Sequence, residues 1–203
     1  VELLKEYLGI DFTFEKAMSL IGGMSDKDKD VVLKNMGITV DDNFWKYALL
    51  RDKDKAKNGF ALTEYIENIF SNKKIKQCIA TGGILEKTKN KMKIVNIEKY
   101  FPYESVFTSD MVIKGKPEPD IFLLAAKKMG FKPEDCIVIE DSVAGLTAAQ
   151  RAGMIPVAFV KYSKEYFLED IKKLGIKNIF EDMREIEKFL LELGRGFMYV
   201  GSQ

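Results

Sequence analysis

Short apolar runs separated by helix-like stretches constrain residues 59–203 more than any other feature of the chain. The runs are Ile75 to Ala80, Val106 and Phe107, residues 136–140 (CIVIE), Ile155 to Val160 and Asn178 to Phe180. Between and around them lie helical stretches at 61–71, 84–95, 120–129, 142–152, 164–174 and 183–193, with Pro119 at the head of the third, where proline is tolerated. Apolar strands alternating with helices form a parallel sheet covered on both faces. The expectation is a doubly wound α/β core.

Residues 1–58 read differently, as helix throughout. Phe14 to Ile21 is a short helix with Thr13 as N-cap, stopped by Gly22-Gly23. Ser25 caps the next helix and Gly37 ends it; a third starts near Asp41 and runs into the charged stretch Arg51 to Lys57. Gly59 marks the junction with the α/β part. The chain therefore divides into an all-helical domain, 1–58, and an α/β core, 59–203. The small domain is expected to hold its own core around Phe14, Leu20, Phe44, Trp45 and Leu49, and to place the loop Ser25-Asp26-Lys27 at the mouth between the two parts. The tail, Gly194 to Gln203, carries no usable signal.

Composition removes several classes of function. Lys and Arg total 32 against 31 Asp and Glu, a net charge of +1, which gives no footprint for nucleic acid or an anionic membrane. No apolar run is long enough to cross a bilayer. Cys78 and Cys136 both sit inside apolar strands and read as reduced core residues, which points to a reducing compartment. With no histidine, Ser-His-Asp triads, Cys-His pairs and His-ligated zinc are all excluded.

In an open parallel sheet, chemistry sits at the carboxyl ends of the strands. Those ends carry Thr81-Gly82-Gly83, then Lys114-Gly115-Lys116-Pro117, then Glu140-Asp141-Ser142. A hydroxyl and glycine amides at a helix N-terminus can cradle phosphate, and an ammonium can neutralise it. Two carboxylates can hold Mg²⁺, which takes one or two of them together with water and phosphate oxygens. That cation would also explain why a buried strand ends in two adjacent negative charges. Each piece alone has a plainer reading. The glycines suit a turn, Lys-Pro suits a solvated loop, and the acidic pair suits a helix N-terminus with Ser142 as cap. Ala144, Ala148, Ala149 and Ala152 suit helix-on-sheet packing, with Gly145 allowing close approach.

Taken in this order, the motifs resemble the haloacid dehalogenase superfamily, in its β-phosphoglucomutase-like phosphatase subgroup with a helical cap. KGKPEPDIFLLAAKKMG is similar to the family's lysine motif and implies Lys116 as the phosphate-binding lysine. IEDSVAGLTAAQRAGM is similar to its metal motif and implies Glu140 and Asp141 as Mg²⁺ ligands. CIATGG implies Thr81 as the phosphate-binding hydroxyl, with the Gly82 amide beside it, and IGGMSDKD resembles the cap loop that brings Ser25 and Asp26 to the substrate. The implied fold is a Rossmann-like core with a small all-helical cap. One motif is absent. The Asp-x-Asp-Gly-Thr-type segment that carries the family's nucleophile on its first strand has no counterpart; Gly9 to Thr13 is the nearest text and lacks the second aspartate. The resemblance places that first strand centrally, between the strand of Thr81 and the strand of Glu140, where a gap would leave ladder groups unpaired on both neighbours. The reading therefore expects a further segment ahead of Val1 and assigns no nucleophile or acid/base aspartate.

What the resemblance implies is a Mg²⁺-dependent phosphatase acting on a small phosphomonoester, such as a sugar phosphate, through an aspartyl-phosphate. Lys116 and Thr81 act on the transferring phosphoryl group. The alternatives are a phosphosugar mutase and a phosphometabolite-binding protein without catalysis. Asp26 stands where a mutase of the subgroup tends to place a cationic anchor for a second phosphate, which favours the phosphatase. A cytoplasmic monomer whose partner is a small phosphorylated metabolite, with neither nucleic acid nor membrane, completes the expectation.

Overall fold

The structure is a computed structural model that describes residues 2–11, 13–57, 61–162, 164–193 and 198–201. The junction expected at Gly59 lies outside them.

Four helices come first: α1 (Glu2–Leu8), α2 (Phe14–Ile21), α3 (Asp26–Asn35) and α4 (Asp42–Lys57). Thr13 Oγ1 accepts the Lys16 amide at 3.3 Å, so the N-terminal turn of α2 is capped as its sequence suggests. Ser25 caps α3 by accepting the Asp28 amide at 3.1 Å. These helices enclose an apolar cluster of Leu4, Ala17, Leu33, Val40 and Phe44, with Leu20 and Trp45 packed against it. Phe14 and Leu49, also expected there, have side chains outside the described part of the structure. Leu33 escaped the sequence reading because it is a lone leucine in a charged helix; Leu4 shares a short helix with Leu3 and Leu8 and was not singled out.

The remaining elements alternate. In order they are α5 (Ile66–Phe70), β1 (Lys76–Thr81), α6 (Leu85–Ile94), β2 (Val106–Thr108), α7 (Asp120–Met129), β3 (Cys136–Glu140), α8 (Val143–Arg151), β4 (Ile155–Phe159), α9 (Lys164–Lys173), β5 (Asn178–Phe180), α10 (Met183–Glu192) and β6 (Met198–Gly201). Helix α5 is shorter than the expected 61–71. Tyr65 sits in the left-handed region at φ 65°, which an L-residue helix does not propagate.

The six strands form one parallel sheet in the order β2-β1-β6-β3-β4-β5. β3 is buried along its whole length, as CIVIE requires of a central strand covered on both faces. One side of the sheet packs Ile79, Val106, Ile137, Ile139 and Val157 against α5, α10 and the segment around Phe101. The other side packs Cys78, Ala80, Cys136 and Val138 against α7 and α8. Ala148, Ala149 and Ala152 are in that layer, where small side chains let the helix lie close to the sheet.

The tail corrects the sequence reading. Residues 198–201 are a strand, and they take the central place between β1 and β3, paired in parallel with both. Gly201 lies level with Ile79 and Ile139. Backbone groups of β1 and β3 that would otherwise be orphaned find partners there. Four residues without alternation give too little pattern to read; what makes them a strand is the ladder on either side. None of Met198, Tyr199, Val200 and Gly201 is a carboxylate.

Candidate active site

Three loops converge at the carboxyl ends of β1, β2 and β3. Lys116 holds them together. Its ammonium donates to the Ala80 carbonyl of β1 at 3.2 Å, forms an ion pair with Glu140 Oε1 of β3, and lies 4.9 Å from the centre of the Phe122 ring of α7. Lys116 and Glu140 are both fully buried. A lysine in so dry a place is stable only because an opposite charge meets it.

Glu140 is held on its other side by the start of α8. Its Oε2 accepts the Asp141 and Ser142 amides, each at 3.2 Å, and the Ser142 hydroxyl at 2.8 Å. The Ser142 Oγ in turn accepts the Gly145 amide at 3.0 Å, capping the helix. A carboxylate at a helix N-terminus is favoured by the exposed amides and the helix dipole. Gly145 has a use here that differs from the expected helix-on-sheet approach: a Cβ on it would overlap the Glu140 carboxylate itself.

The two adjacent carboxylates thus have different environments. The charge of Glu140 is matched by Lys116 and three hydrogen bonds. Asp141 stands at the rim with solvent on one side, and among the described residues no side chain donates a hydrogen bond to its carboxylate. Crowding by the surrounding walls pushes its pKa up to about 6; Glu140 adds to the rise and Lys116 partly offsets it. A hard cation would relieve that unmatched charge. No group of three or more His, Cys, Asp or Glu gathers among the described residues, so protein would supply one or two carboxylates and leave the other positions to water and substrate. That donor set fits Mg²⁺, with Asp141 the more available ligand and Glu140 next to it.

Thr81 ends β1 nearly buried, and its Oγ1 accepts the Gly83 amide at 3.1 Å. It follows Ala80, the residue whose carbonyl receives Lys116, so hydroxyl, ammonium and carboxylates share one rim.

The N-terminal turn of α3 closes over this rim. A Cβ on Gly82 would sit 2.6 Å from the Gly23 carbonyl oxygen and 3.3 Å from the Ser25 amide nitrogen. A Cβ on Gly23, where φ is +75°, would overlap Ser142. A Cβ on Gly115 would overlap Asp28 Oδ2. Glycine at these three positions lets the helical part lie directly on the loops that follow β1, β2 and β3.

The structure brings Ser25, Thr81, Gly82, Lys116, Glu140 and Asp141 to this one region. Asp26 faces elsewhere: its carboxylate meets Lys87 of α6 at 3.0 Å and Lys29 at 3.3 Å. Desolvation works to raise its pKa, but these two lysines prevail and hold it below the usual carboxylate range. The acid that reaches the loop before Lys116 is Asp28, which the sequence reading did not single out. Its signal was present. Ser25 and Asp28 have the spacing of a capping box, in which the third helical residue folds back toward the cap. Asp11, from the text nearest to a nucleophile motif, pairs with Lys5 at 3.0 Å on the exposed surface between α1 and α2.

The chain is 34% identical over 92 residues to a phosphorylated carbohydrates phosphatase from Thermotoga maritima, covering 45% of this chain and 42% of that protein. It is 37% identical over 81 residues to hexitol phosphatase A from Escherichia coli, covering 39% of this chain and 36% of that one. The matched stretches span less than half the length of those relatives. Among solved structures, a haloacid dehalogenase-like protein of unknown function from Agrobacterium tumefaciens superposes with a TM-score of 0.74 at 20% identity, over 96% of this chain and 89% of that one; it shares the fold. A family model described as haloacid dehalogenase-like hydrolase matches residues 4–153, a span that holds the helical part and all three site loops, and the chain belongs to that family.

Proposed function

We propose that this chain is a Mg²⁺-dependent phosphatase acting on a small phosphomonoester of the sugar phosphate kind. One observation carries the reading: Lys116 ties the end of β1 to the end of β3, with Asp141 unmatched at the rim beside it. The relatives named as phosphatases of phosphorylated carbohydrates and hexitols support the substrate class. In this reading Thr81 and the Gly82 amide bind the phosphoryl oxygens. Lys116 and the amides at the start of α6 offset their charge. Asp141, with Glu140, would hold Mg²⁺, which supplies charge neutralisation when bound. Glu140 keeps the Lys116 ammonium oriented. The α3 turn, through Gly23 and Ser25, covers the mouth and excludes water. The family resemblance implies transfer to a carboxylate and hydrolysis of the acyl phosphate, and that nucleophile is assigned to no described residue.

A second reading has a specific observation behind it. The central strand β6 carries no carboxylate in Met198 to Gly201, as suits a phosphometabolite-binding protein that performs no hydrolysis. One experiment separates the two. Phosphate release from a panel of sugar and polyol phosphates is measured with Mg²⁺ and with chelator, beside calorimetric binding of inorganic phosphate. Mg²⁺-dependent release establishes the phosphatase. Phosphate binding without release from any ester establishes the binder, and the absence of both refutes the site.

A further inference from the structure

We infer that Thr108, at the end of β2, is a positioning residue for the phosphate site: when Thr81 donates its hydroxyl proton to a phosphoryl oxygen, the Thr108 hydroxyl donates to the Thr81 oxygen and holds that proton toward the phosphate. The inference rests on the reading of Thr81 as a phosphate-binding hydroxyl and goes beyond it.

Thr108 is fully buried, and its hydroxyl has no hydrogen-bond partner among the described residues. A buried hydroxyl in that state is costly. Strand propensity does not require one, since valine has the same shape and suits a strand as well. The place of Thr108 gives the hydroxyl a use. It stands opposite Thr81 in the parallel ladder of β1 and β2. Opposite residues of neighbouring strands put their side chains on one face, with backbones about 4.8 Å apart, and threonines so placed can hydrogen-bond across the strands. The two chains stay joined past the strand ends, where the Ser109 amide donates to the Gly83 carbonyl at 3.1 Å. The end of β2 is thus tied to the turn that carries Thr81. Other buried threonines around this turn are engaged. Thr81 Oγ1 accepts the Gly83 amide at 3.1 Å, and the Thr88 hydroxyl donates to the Ile84 carbonyl at 3.0 Å. A threonine oxygen accepts two hydrogen bonds and donates one. For Thr81 the Gly83 amide supplies one of the accepted bonds. A second, from Thr108, directs the Thr81 proton to the phosphoryl oxygen and strengthens that bond by polarising the Thr81 hydroxyl. Thr108 and Thr81 are not bonded to each other in this structure; they join when phosphate binds.

Inorganic phosphate is titrated into the full chain in saturating Mg²⁺ by calorimetry, and melting temperatures are recorded for the same proteins. Thr108→Val removes the unpartnered hydroxyl at constant shape. It should melt at or above the temperature of the unmodified protein, yet bind phosphate about fivefold more weakly, the effect of one neutral hydrogen bond. Thr108→Ser keeps the hydroxyl and loses a buried methyl. It should melt lower, yet bind phosphate within about twofold of the unmodified protein. A role in packing alone predicts the reverse order of affinities. In a Thr81→Val background, adding Thr108→Val should change the affinity by less than about twofold, because Thr108 acts through Thr81. Unchanged affinity in Thr108→Val overturns this inference alone. So does a loss that Thr108→Ser shares, or an undiminished loss in the Thr81→Val background. Absence of phosphate binding in the unmodified protein overturns the functional reading and this inference with it.

Discussion

Replacing Gly145 by alanine sets two physical rules against each other. Gly145 lies inside α8 with a backbone any residue adopts, so helix propensity alone predicts a gain of about 1 kcal/mol. The structure predicts a loss. The new methyl would overlap both oxygens and the Cδ of Glu140, and Glu140 is too enclosed to swing away. Forcing a methyl into a packed site costs about 1–3 kcal/mol. Moving the carboxylate also weakens its bonds to the Asp141 and Ser142 amides and to Lys116, and hydrogen bonds to charged groups contribute about 1.5–3 kcal/mol each. If one such bond is lost, the net expectation is a destabilisation of about 2–4 kcal/mol. Urea unfolding followed by far-ultraviolet circular dichroism reads this as a lower midpoint with an unchanged slope. A background carrying Lys116→Met and Glu140→Ala removes the clash together with both buried charges. There Gly145→Ala should be neutral or stabilising. An unmodified background in which Gly145→Ala matches or exceeds the parent stability refutes the reasoning.

Other perturbations follow from the same geometry. Lys116→Ala leaves Glu140 buried and unmatched, so it should lower stability by about 3–5 kcal/mol, whereas Lys114→Ala at an exposed position should stay within about 0.5 kcal/mol; comparable melting temperatures for the two would contradict the buried pair. Asp26 has a depressed pKa, so its contribution is complete above the ordinary carboxylate value of about 3.9 and is lost as pH falls through its lower folded value. Melting curves of Asp26→Asn should thus lie below the parent at pH 5–7, with the gap narrowing only as pH falls below about 4; a gap that does not narrow at all between pH 7 and the lowest pH at which the protein stays folded would refute the pairing with Lys29 and Lys87. Burial pushes both thiols up, Cys136 to about 11, with Asp135 and Glu134 adding to that rise. A thiol reagent at pH 8 should therefore label neither cysteine until urea unfolds the chain, and fast labelling of the native protein would contradict their place in the sheet.

The parts of this fold that were legible in sequence share one property: local pattern and tertiary role agree. CIVIE reads as a buried strand because every residue suits two covered faces, and all five are buried. Ser25 and Thr13 read as caps because the hydroxyl bonds an amide within three residues, a purely local matter. The missed features depend on partners far along the chain. The tail MYVG becomes a strand through β1 and β3, more than 50 residues away at the nearest. The pairing of Lys116 with Glu140 joins residues 24 apart in the chain, so a lysine expected at phosphate and a glutamate expected at metal also meet each other. Asp26 and Asp28 carry the same chemistry two positions apart. Only the direction in which α3 leaves Ser25 decides that one meets Lys87 and the other Gly115.

If a phosphate and cation site lies at the ends of β1, β2 and β3, Asp141 is the residue whose charge the cation would answer. Calorimetric titration of inorganic phosphate at pH 7.5, with and without saturating Mg²⁺, tests it in the parent protein and in Asp141→Asn. The expected result is phosphate binding at least about tenfold tighter with Mg²⁺ in the parent, and no Mg²⁺ effect in the variant, with equal melting temperatures for the two in the absence of metal or a slightly higher one for Asp141→Asn. Phosphate affinity that responds to Mg²⁺ to the same degree in both proteins would contradict it.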